Sequence, residues 1–506
     1  MRNKSTEPKA KVQELFCSSS GKAVVGSFGA GLLSTFGGTP LIWMVELATG
    51  YVKQAAECIK DWRAPHLIKY KMFNLLWQRI LLICAGFADT NDSNFLRHDA
   101  ALKLAMGLDL DSEEHLASQP TMSRLENEMS SKDCYKLAVF MVLSYIARKK
   151  KAPKRLILDF DGSSFETRGN QQGSSYRGHW EVNMLFPLLV YDQDGWLICA
   201  ILRPGKDGEA RLLLPVLRRL VKAFRAEWPR VSIILRVDAA FGSSELFDWC
   251  EDQGKEEPEL TVHYITVMKT PPEGNGVTGV LKFKEKRNVA RRQFGRLFGE
   301  AEYGQEGAKK KYEVEREILA LPKKERKAAL KRLKRRFVRV FADDSYQTGK
   351  GGQDKNGWRS ARRVVAVFVH DDWGLRSRYF VTNLPSTDSA QYLIEELYSA
   401  RGAAELRIKE YRGQDADKMS CSEFIANQVR LLFHALAYNT MYTLREQLPA
   451  ARRKWTFETI RVSLIRMAVH VEETKEAILL SWSKDFPFKR EFWACEERLR
   501  GQRLRC

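Results

Sequence analysis

The chain has 506 residues, of which 83 are lysine or arginine and 63 are aspartate or glutamate, so its formal net charge is +20. This length allows two to four domains with full cores, and the positive excess favours a polyanionic partner such as nucleic acid, although other basic soluble proteins have a similar charge. Nine scattered cysteines, none in a C-x-x-C pair or at zinc spacing with histidine, argue against a disulfide framework and indicate a reducing cytoplasm.

Residues 1–150 are predicted to form a helical N-terminal region that binds DNA. Two apolar runs, 73–83 and 136–146, have the length and composition of buried helices. Residues 116–126 predict a short helix pair, which is either a helix-turn-helix that enters a DNA groove or a plain helical hairpin. Residues 23–45 carry no charge and reach membrane-span length, but their glycines and Pro40 favour an interrupted buried segment over a transmembrane helix.

Residues 151–270 alternate between predicted strands and helices. We expect strands at 155–161, 184–191, 196–202, 231–237 and 260–268, an amphipathic helix at 209–228, and a further helix capped by Ser243 or Ser244. Three strands followed by helix, strand, helix and strand is the order of a ribonuclease H-like α/β fold, whose sheet places acidic side chains at neighbouring strand ends. The sequence therefore predicts that residues 151–270 are the first part of such a catalytic core.

A large insertion is predicted at residues 271–388, between this core and a last, helical region at 389–506. Residues 281–340 contain 21 lysines and arginines against 8 acidic residues, a local excess of 13 positive charges. Such density favours contact with a DNA backbone. The insertion is expected to hold a helix at 309–336 and a β-hairpin at 362–370 and 378–384, and further helices are expected at 422–448 and 457–480.

Three acidic residues are the candidates for chemistry. Asp161 ends one predicted strand beside Gly162, and Asp238 ends another, so we expect the sheet to bring them to one edge. Asp159 shares a strand face with Asp161 and is a rival for the first position, while Asp161 has a plain alternative role as a turn cap. Glu405 is expected on a helix. Three carboxylates from two strand ends and a helix suit hard divalent cations, which at a phosphodiester indicate nucleic-acid strand chemistry.

The neighbours of Glu405 make this glutamate more than an ordinary exposed side chain. Tyr398 and Arg401 precede it by seven and four residues, and Arg412 follows it by seven, so all four are predicted to share one narrow face of a helix. A carboxylate between a phenol and two guanidiniums is placed to meet a metal ion and a phosphate together.

The spacing Tyr398-x2-Arg401-x3-Glu405 resembles the signature around the catalytic glutamate of insertion-sequence transposases of the DDE class. More narrowly, the chain resembles the bacterial insertion-sequence 1380-type transposases (transposase DDE domain group 1). The similar phrases follow one another in matching order at 89–105, 116–127, 158–163, 201–206, 236–241 and 420–431.

This resemblance implies a cut-and-paste DNA transposase with Asp161, Asp238 and Glu405 as the metal-binding triad. The cofactor would be two Mg²⁺ ions, or Mn²⁺ in their place. The DNA partners would be the terminal inverted repeats and the target, and the protein would work as a homodimer in a synaptic complex, in the bacterial cytoplasm near the nucleoid and away from membranes.

The resemblance also implies roles in DNA binding. Tyr398, Arg401 and Arg412 would hold the backbone near the cut. Arg412 stands where the broader signature has lysine, which replaces a point charge by a planar fork. Trp358, in a glycine-bearing loop before the predicted hairpin, is a candidate for stacking on a displaced base, with simple packing as the alternative.

Two other functions remain open at this stage. One is a transposase-derived DNA-binding protein without catalysis, against which the three intact acids argue. The other is a ribonuclease H-like nuclease acting on RNA hybrids or branched DNA, against which the basic insertion and the helical N-terminal third argue.

Overall fold

The computed structural model describes residues 13–20, 22–26, 31–110, 114–178, 180–208, 210–301, 316–333, 336–349 and 357–503. The chain divides into two compact units, one formed by Met1–Phe140 with Glu410–Cys506 and the other by Met141–Lys409. Within the described ranges, no helix is both long enough and apolar enough to cross a lipid bilayer.

The first unit is mostly helical, as predicted for the N-terminal region. Its strands are β1 (Gln13–Cys17), β2 (Ala23–Gly26), β3 (Leu32–Ser34), β15 (Val469–Glu473) and β16 (Ile478–Trp482). Its helices are α1 (Thr39–Thr49), α2 (Tyr51–Glu57), α3 (Met72–Ala85), α4 (Ser93–Leu96), α5 (Ala100–Ala105), α6 (Gln119–Asn127), α13 (Phe424–Gln447), α14 (Phe457–Ile460) and α15 (Lys489–Arg503). The uncharged residues 23–45 thus contribute two short strands and the start of α1.

Two buried helices, α3 and α13, pack together at the centre of the first unit. A buried charge cluster joins them to α6. Glu126 on α6 accepts a hydrogen bond from Arg79 on α3 at 2.7 Å and another from Arg430 on α13 at 2.9 Å. All three side chains are almost fully excluded from solvent. Since a buried charge is tolerated only when it is paired, this cluster specifies how the three helices meet.

The segment at 116–126 contains one helix, α6, instead of the predicted helix pair. α6 follows Ser118 and buries Met122 and Leu125, while Arg124 is exposed. Residues 114–118, which precede α6, form neither helix nor strand, so there is no first helix of a pair at this place.

The second unit is built on an eight-stranded sheet with the strand order β12-β13-β14-β11-β10-β4-β8-β9. Its strands are β4 (Arg155–Gly162), β8 (Leu188–Asp192), β9 (Leu197–Ile201), β10 (Ser232–Val237), β11 (Val262–Val267), β12 (Phe337–Tyr346), β13 (Arg362–Asp371) and β14 (Gly374–Thr382). β4, β10 and β11 run parallel, and the remaining neighbours pair antiparallel. The chain between β4 and β8 forms a separate small sheet of β5 (Phe165–Glu166), β6 (Ser175–Arg177) and β7 (Val182–Leu185).

The helices of the second unit are α8 (Leu213–Glu227), α9 (Ser244–Asp252), α10 (Leu281–Phe298) and α11 (Lys323–Leu333). α8 begins four residues after the predicted start at 209, because Leu212 takes a left-handed conformation with φ of 65°. The predicted cap of α9 is confirmed for Ser243, whose hydroxyl accepts a hydrogen bond from the Leu246 amide. Two more helices, α7 (Ser131–Arg148) and α12 (Gly402–Arg412), contain the unit boundaries.

One face of the large sheet carries the aspartates of β4 and is here called the acidic face. Arg236 on β10 lies opposite Asp159 on one side and Ile265 on the other, and side chains in register share a face. Asp161, two residues after Asp159, therefore points to the same side. This face is covered by Leu393 and neighbouring apolar side chains of the helical run that leads to Glu405.

The opposite face is covered by α9 and α10. Phe247 on α9 stacks on Tyr264 of β11 with the ring centroids 4.5 Å apart. Phe283 on α10 meets the ring of Tyr379 on β14 at 5.5 Å. Tyr379 directly precedes Phe380, which belongs to the core of the acidic face, so alternation places Tyr379 on the other side.

Three expectations about strands need correction. The strand predicted at 184–191 is two strands, β7 and β8, because Pro187 interrupts the pairing. The hairpin predicted in the insertion is confirmed as β13 and β14, but an additional strand, β12, pairs with β13 and the group joins the main sheet through β11. The helix predicted at 457–480 is wrong beyond residue 465. Val469 and Val471, two residues apart, are buried there as parts of the strand β15.

The insertion and the Glu405 segment also differ from expectation. In the basic insertion, the helix predicted at 309–336 is interrupted at Leu321 and Pro322, with helical residues 316–320 before the break and α11 after it; residues 309–315 and 334–335 lie outside the described ranges. The run before Glu405 is not one regular α-helix. It passes through a π-type segment, Tyr392–Tyr398, and a 3-10 turn, Ser399–Arg401, before α12 begins. Because these segments wind differently, the predicted single narrow face is not continuous from Tyr398 to Arg412.

Candidate functional site

The two candidate aspartates lie next to each other at the end of neighbouring parallel strands. Arg236 pairs with Asp159 in the register of β10 and β4. Two residues further along each strand, the same register sets Asp238 beside Asp161, and both belong to the acidic face. Asp161 is largely buried, whereas the Asp238 side chain retains 40% of its exposure. The site therefore opens to solvent on the Asp238 side.

Arg401 contacts both aspartates. Its Nη2 atom lies 3.1 Å from Oδ2 of Asp161 and 3.8 Å from Oδ2 of Asp238. The distances are those of ion pairs, but the orientation does not make hydrogen bonds, and the buried Nε and Nη2 groups of Arg401 have no hydrogen-bond partner among the described residues. The guanidinium thus supplies positive charge to the aspartates and keeps N–H donors unsatisfied.

Glu405 lies in the first turn of α12 and is exposed. It acts on the same site through its charge. Burial raises the pKa of Asp161 to about 6, Arg401 opposes this shift, and the negative charges of Asp238 and Glu405 add to it. The three predicted acids therefore form one electrostatic group in which like charges repel.

Carboxylate oxygens are the ligands that Mg²⁺ prefers, and three carboxylates with one guanidinium leave an excess of two negative charges. Among the described residues, however, no three His, Cys, Asp or Glu side chains lie close enough together to hold a metal ion as they stand. The positive charge beside Asp161 and Asp238 is instead supplied by Arg401. The residues fit a divalent ion in charge and ligand type, provided that Arg401 withdraws.

Asp159 has a different environment from Asp161. Its two carboxylate oxygens accept hydrogen bonds from Nε and Nη2 of Arg236 at 2.7 and 2.6 Å, and Nη1 of Arg407 lies 3.4 Å away. Arg236 also donates to the carbonyl of Leu397 at 2.8 Å. Asp159 thus holds β4, β10 and the helical run together, and its oxygens are already engaged.

Sequence reasoning assigned no role to Arg236 or Arg407. A signal for Arg236 was present, because an arginine inside the apolar run of β10 needs a buried anion. Arg407 carries no comparable signal, since its partners, Asp159 and the carbonyl groups of Asp192 and Gln193, come from distant parts of the chain.

The four residues predicted to bind DNA have four different environments. Arg401 lies at the aspartates. Tyr398 is buried against Phe380 at 4.9 Å, and its hydroxyl lies 3.4 Å from the carbonyl oxygen of Val237, directly before Asp238. Burial raises the pKa of Tyr398. Through its contact with the Val237 carbonyl, Tyr398 supports the end of β10, directly before Asp238.

Arg412 and Trp358 lie elsewhere. Arg412 is partly exposed, belongs to the first unit and donates from Nε to Asp417 at 2.9 Å. Trp358 is buried, with Phe247 and Tyr346 against its ring at 6.2 and 5.9 Å. Stacking on a base would require the Trp358 ring to leave these contacts, and residues 351–356 of its loop lie outside the described ranges.

A family model matches nearly the whole chain. Residues 16–504 match the family described as Transposase DDE domain group 1. The chain is also similar to a solved structure titled "Cryo-EM structure of piggyBac transposase synaptic complex with hairpin DNA", with a TM-score of 0.34 and 10% sequence identity, covering 84% of this chain and 79% of that one. No curated protein sequence matches. Since the family match extends almost from end to end, the chain belongs to the transposase DDE domain group 1 family.

Proposed function

We propose that this protein is a DNA transposase that moves an insertion sequence of the 1380 type in a bacterium by cutting and pasting. It cleaves DNA at terminal inverted repeats and transfers the freed 3′-OH to target DNA. The observation that carries this proposal is that Asp161 and Asp238 lie at the ends of neighbouring parallel strands, 3.1 and 3.8 Å from one guanidinium nitrogen of Arg401 and within the electrostatic reach of Glu405, in a chain of this family.

Asp161, Asp238 and Glu405 would hold two Mg²⁺ ions, or Mn²⁺ in their place. When bound, such ions activate water for attack on the phosphodiester and stabilise the leaving 3′ oxygen. Asp161 must be ionised to act as a ligand, and with a pKa of about 6 it is ionised at neutral pH. Asp159 remains the rival for this position, but its bonds to Arg236 favour Asp161.

Arg401 has a second task in this proposal. Its buried Nε and Nη2 groups, which have no hydrogen-bond partner among the described residues, would donate to the scissile phosphate. Tyr398 keeps its place beneath Asp238 and acts as a positioning residue. Arg412, which is partly exposed, remains a candidate for a contact with the DNA backbone.

The architecture is consistent with a ribonuclease H-like core. The order β11-β10-β4-β8-β9, with parallel β11, β10 and β4 and antiparallel β8 and β9, has the acids at adjacent strand ends. We further propose that the protein acts as a homodimer in a synaptic complex, because two transposon ends must be cut and joined together. Its place of work would be the nucleoid in the cytoplasm.

The test is cleavage of a duplex that carries the DNA flanking the gene, by purified protein with Mg²⁺. Glu405→Gln should abolish cutting. Glu396→Gln is the matched control, because Glu396 is an exposed glutamate on the same helical run and should leave the rate unchanged. Equal rates for both variants would remove Glu405 from the mechanism. Preferential cutting of an RNA–DNA hybrid would replace the transposase by a nuclease.

A further inference from the structure

The most strongly charged described helix of the second unit, α10, has one apolar side and one basic side. It contains seven lysines and arginines and a single acid, Glu285. Phe283, Ala290 and Phe294 are buried and attach it to β12 and β13 of the sheet. Because the apolar positions recur at helical spacing, the charged positions are left to the other side.

Four cations form the outward side of α10. Lys282, Lys286, Arg292 and Arg296 are all exposed, and no ion pair is found for any of them among the described residues. Lys282 and Lys286 are four residues apart, as are Arg292 and Arg296. The four charges therefore extend along the helix axis over about 21 Å. This length corresponds to about six base pairs at about 3.4 Å per phosphate along a strand.

The outward side of α10 and the carboxylates face away from each other. α10 covers the face of the sheet that carries Tyr379, whereas Asp161 and Asp238 belong to the acidic face. Helices cover both faces, so the sheet and α10 itself stand between the two surfaces. A phosphate at Asp161 and a phosphate on the outward side of α10 are therefore approached from opposite sides of the sheet.

We propose that Lys282, Lys286, Arg292 and Arg296 bind the phosphate backbone of a second DNA duplex, and that this duplex is the target into which the element is inserted. The assignment rests on the proposed function. Lysine and arginine contacts to phosphate carry no sequence information. They are therefore suited to a target whose sequence varies, whereas terminal repeats require base readout as well.

The first experiment measures binding of a labelled duplex that lacks the terminal repeats, in EDTA so that no cleavage occurs. The perturbation combines Lys282→Gln, Lys286→Gln, Arg292→Gln and Arg296→Gln. Four lost phosphate contacts should reduce the slope of log affinity against log salt by about 3.6. The advantage of the wild type over the variant should accordingly shrink by about 150-fold between about 50 and 200 mM salt.

Two matched variants separate local contact from net charge. Exchanging lysine and arginine at the same four positions keeps the charges and should keep the binding. Replacing four exposed cations elsewhere by glutamine removes the same charge and should change the slope little; suitable positions are Lys454, Lys475, Lys484 and Arg490. An unchanged slope in the α10 variant, or an equal loss in the distant one, overturns the proposal. Thermal unfolding of each variant verifies that it is folded.

A second experiment separates this inference from the proposed function. The α10 variant should still cleave the terminal-repeat duplex but should lose strand transfer into target DNA. If cleavage is lost together with binding, α10 serves the same duplex as the carboxylates and the assignment to the target is wrong. If the wild type itself does not cleave, the proposed function fails, and the slope measurement still decides whether α10 binds duplex DNA.

Discussion

Asp161 and Asp159 lie two residues apart on one strand, yet their replacement by asparagine should change stability in opposite directions. In the folded protein the pKa of Asp161 is raised from 3.8 to about 6, mainly by burial. The folded protein therefore holds this proton more tightly than the unfolded chain. Raising the pH from 3.8 through about 6 lowers the free energy of unfolding by about 3 kcal/mol, because each pKa unit corresponds to about 1.4 kcal/mol.

Asp161→Asn removes this ionisation. Without divalent metal at pH 7, we expect the variant to be more stable than the wild type by up to about 3 kcal/mol, and the difference should vanish near pH 4, where the wild-type side chain is protonated. Asp159→Asn should do the reverse: burial raises the pKa of Asp159 as well, but its carboxylate is paired with a buried guanidinium, and the loss of that pair outweighs the relief of a buried charge. The substitution leaves the buried guanidinium of Arg236 without its anion and should lower the free energy of unfolding by about 3–5 kcal/mol.

Thermal or urea unfolding in EDTA, followed by tryptophan fluorescence at pH 7 and pH 4, measures both effects on the transition of the second unit. A change of about 3 kcal/mol corresponds to about 6–12 °C in Tm for a unit of this size. Added Mg²⁺ should stabilise the wild type and not Asp161→Asn, because only the ionised carboxylate gains from the cation. If both asparagine variants are destabilised alike, Asp161 is a structural partner of Arg401. The prediction that its buried negative charge lowers stability without metal is then refuted.

Three further predictions follow from other contacts. Arg401→Gln removes the guanidinium that favours the ionised form of Asp161, so the pKa of Asp161 should rise further above its value of about 6, and the pH midpoint of Mg²⁺-induced stabilisation should rise with it; an unshifted midpoint contradicts the contact. Trp358→Ala should lower stability by about 3–5 kcal/mol, because the ring is buried, and the folded fraction should bind a hairpin-ended duplex as the wild type does unless the ring stacks on a base. Glu126→Gln should destabilise the first unit by about 3–5 kcal/mol in urea unfolding, because Arg79 and Arg430 lose their shared anion, and a change under about 1 kcal/mol would show that water or another group replaces it.

The sequence predicted best those parts of the fold in which one strong periodicity acts alone. β4, β10, α8 and the cap of α9 were located to within a few residues, because apolar runs and a capping serine determine them locally. The sequence did not predict β12, because this edge strand mixes charged and apolar residues and buries few of them. The sequence predicts helix where the hairpin of β15 and β16 lies, because pairing of β15 with distant β3 outweighs local preference there.

In the candidate site, too, locally determined features were predictable and features set by tertiary contacts were not. Strand ends made Asp161 and Asp238 foreseeable, since parallel neighbours bring their carboxyl ends together. The position of Arg401 between them was not foreseeable, because it depends on the π-type and 3-10 turns that precede α12. Backbone winding of this kind is set by tertiary packing, which a one-dimensional spacing does not contain.

The construction of the first unit from both ends of the chain has a consequence for biosynthesis. On the ribosome, the middle segment Met141–Lys409 is complete before α13 emerges. Until then Leu76 and Ile80 of α3, which are fully buried in the finished protein, lack their partner helix and offer an apolar surface to chaperones or to other nascent chains. A message that ends soon after codon 409 therefore encodes a polypeptide that retains all three acids but exposes α3, and proteolysis is its expected fate.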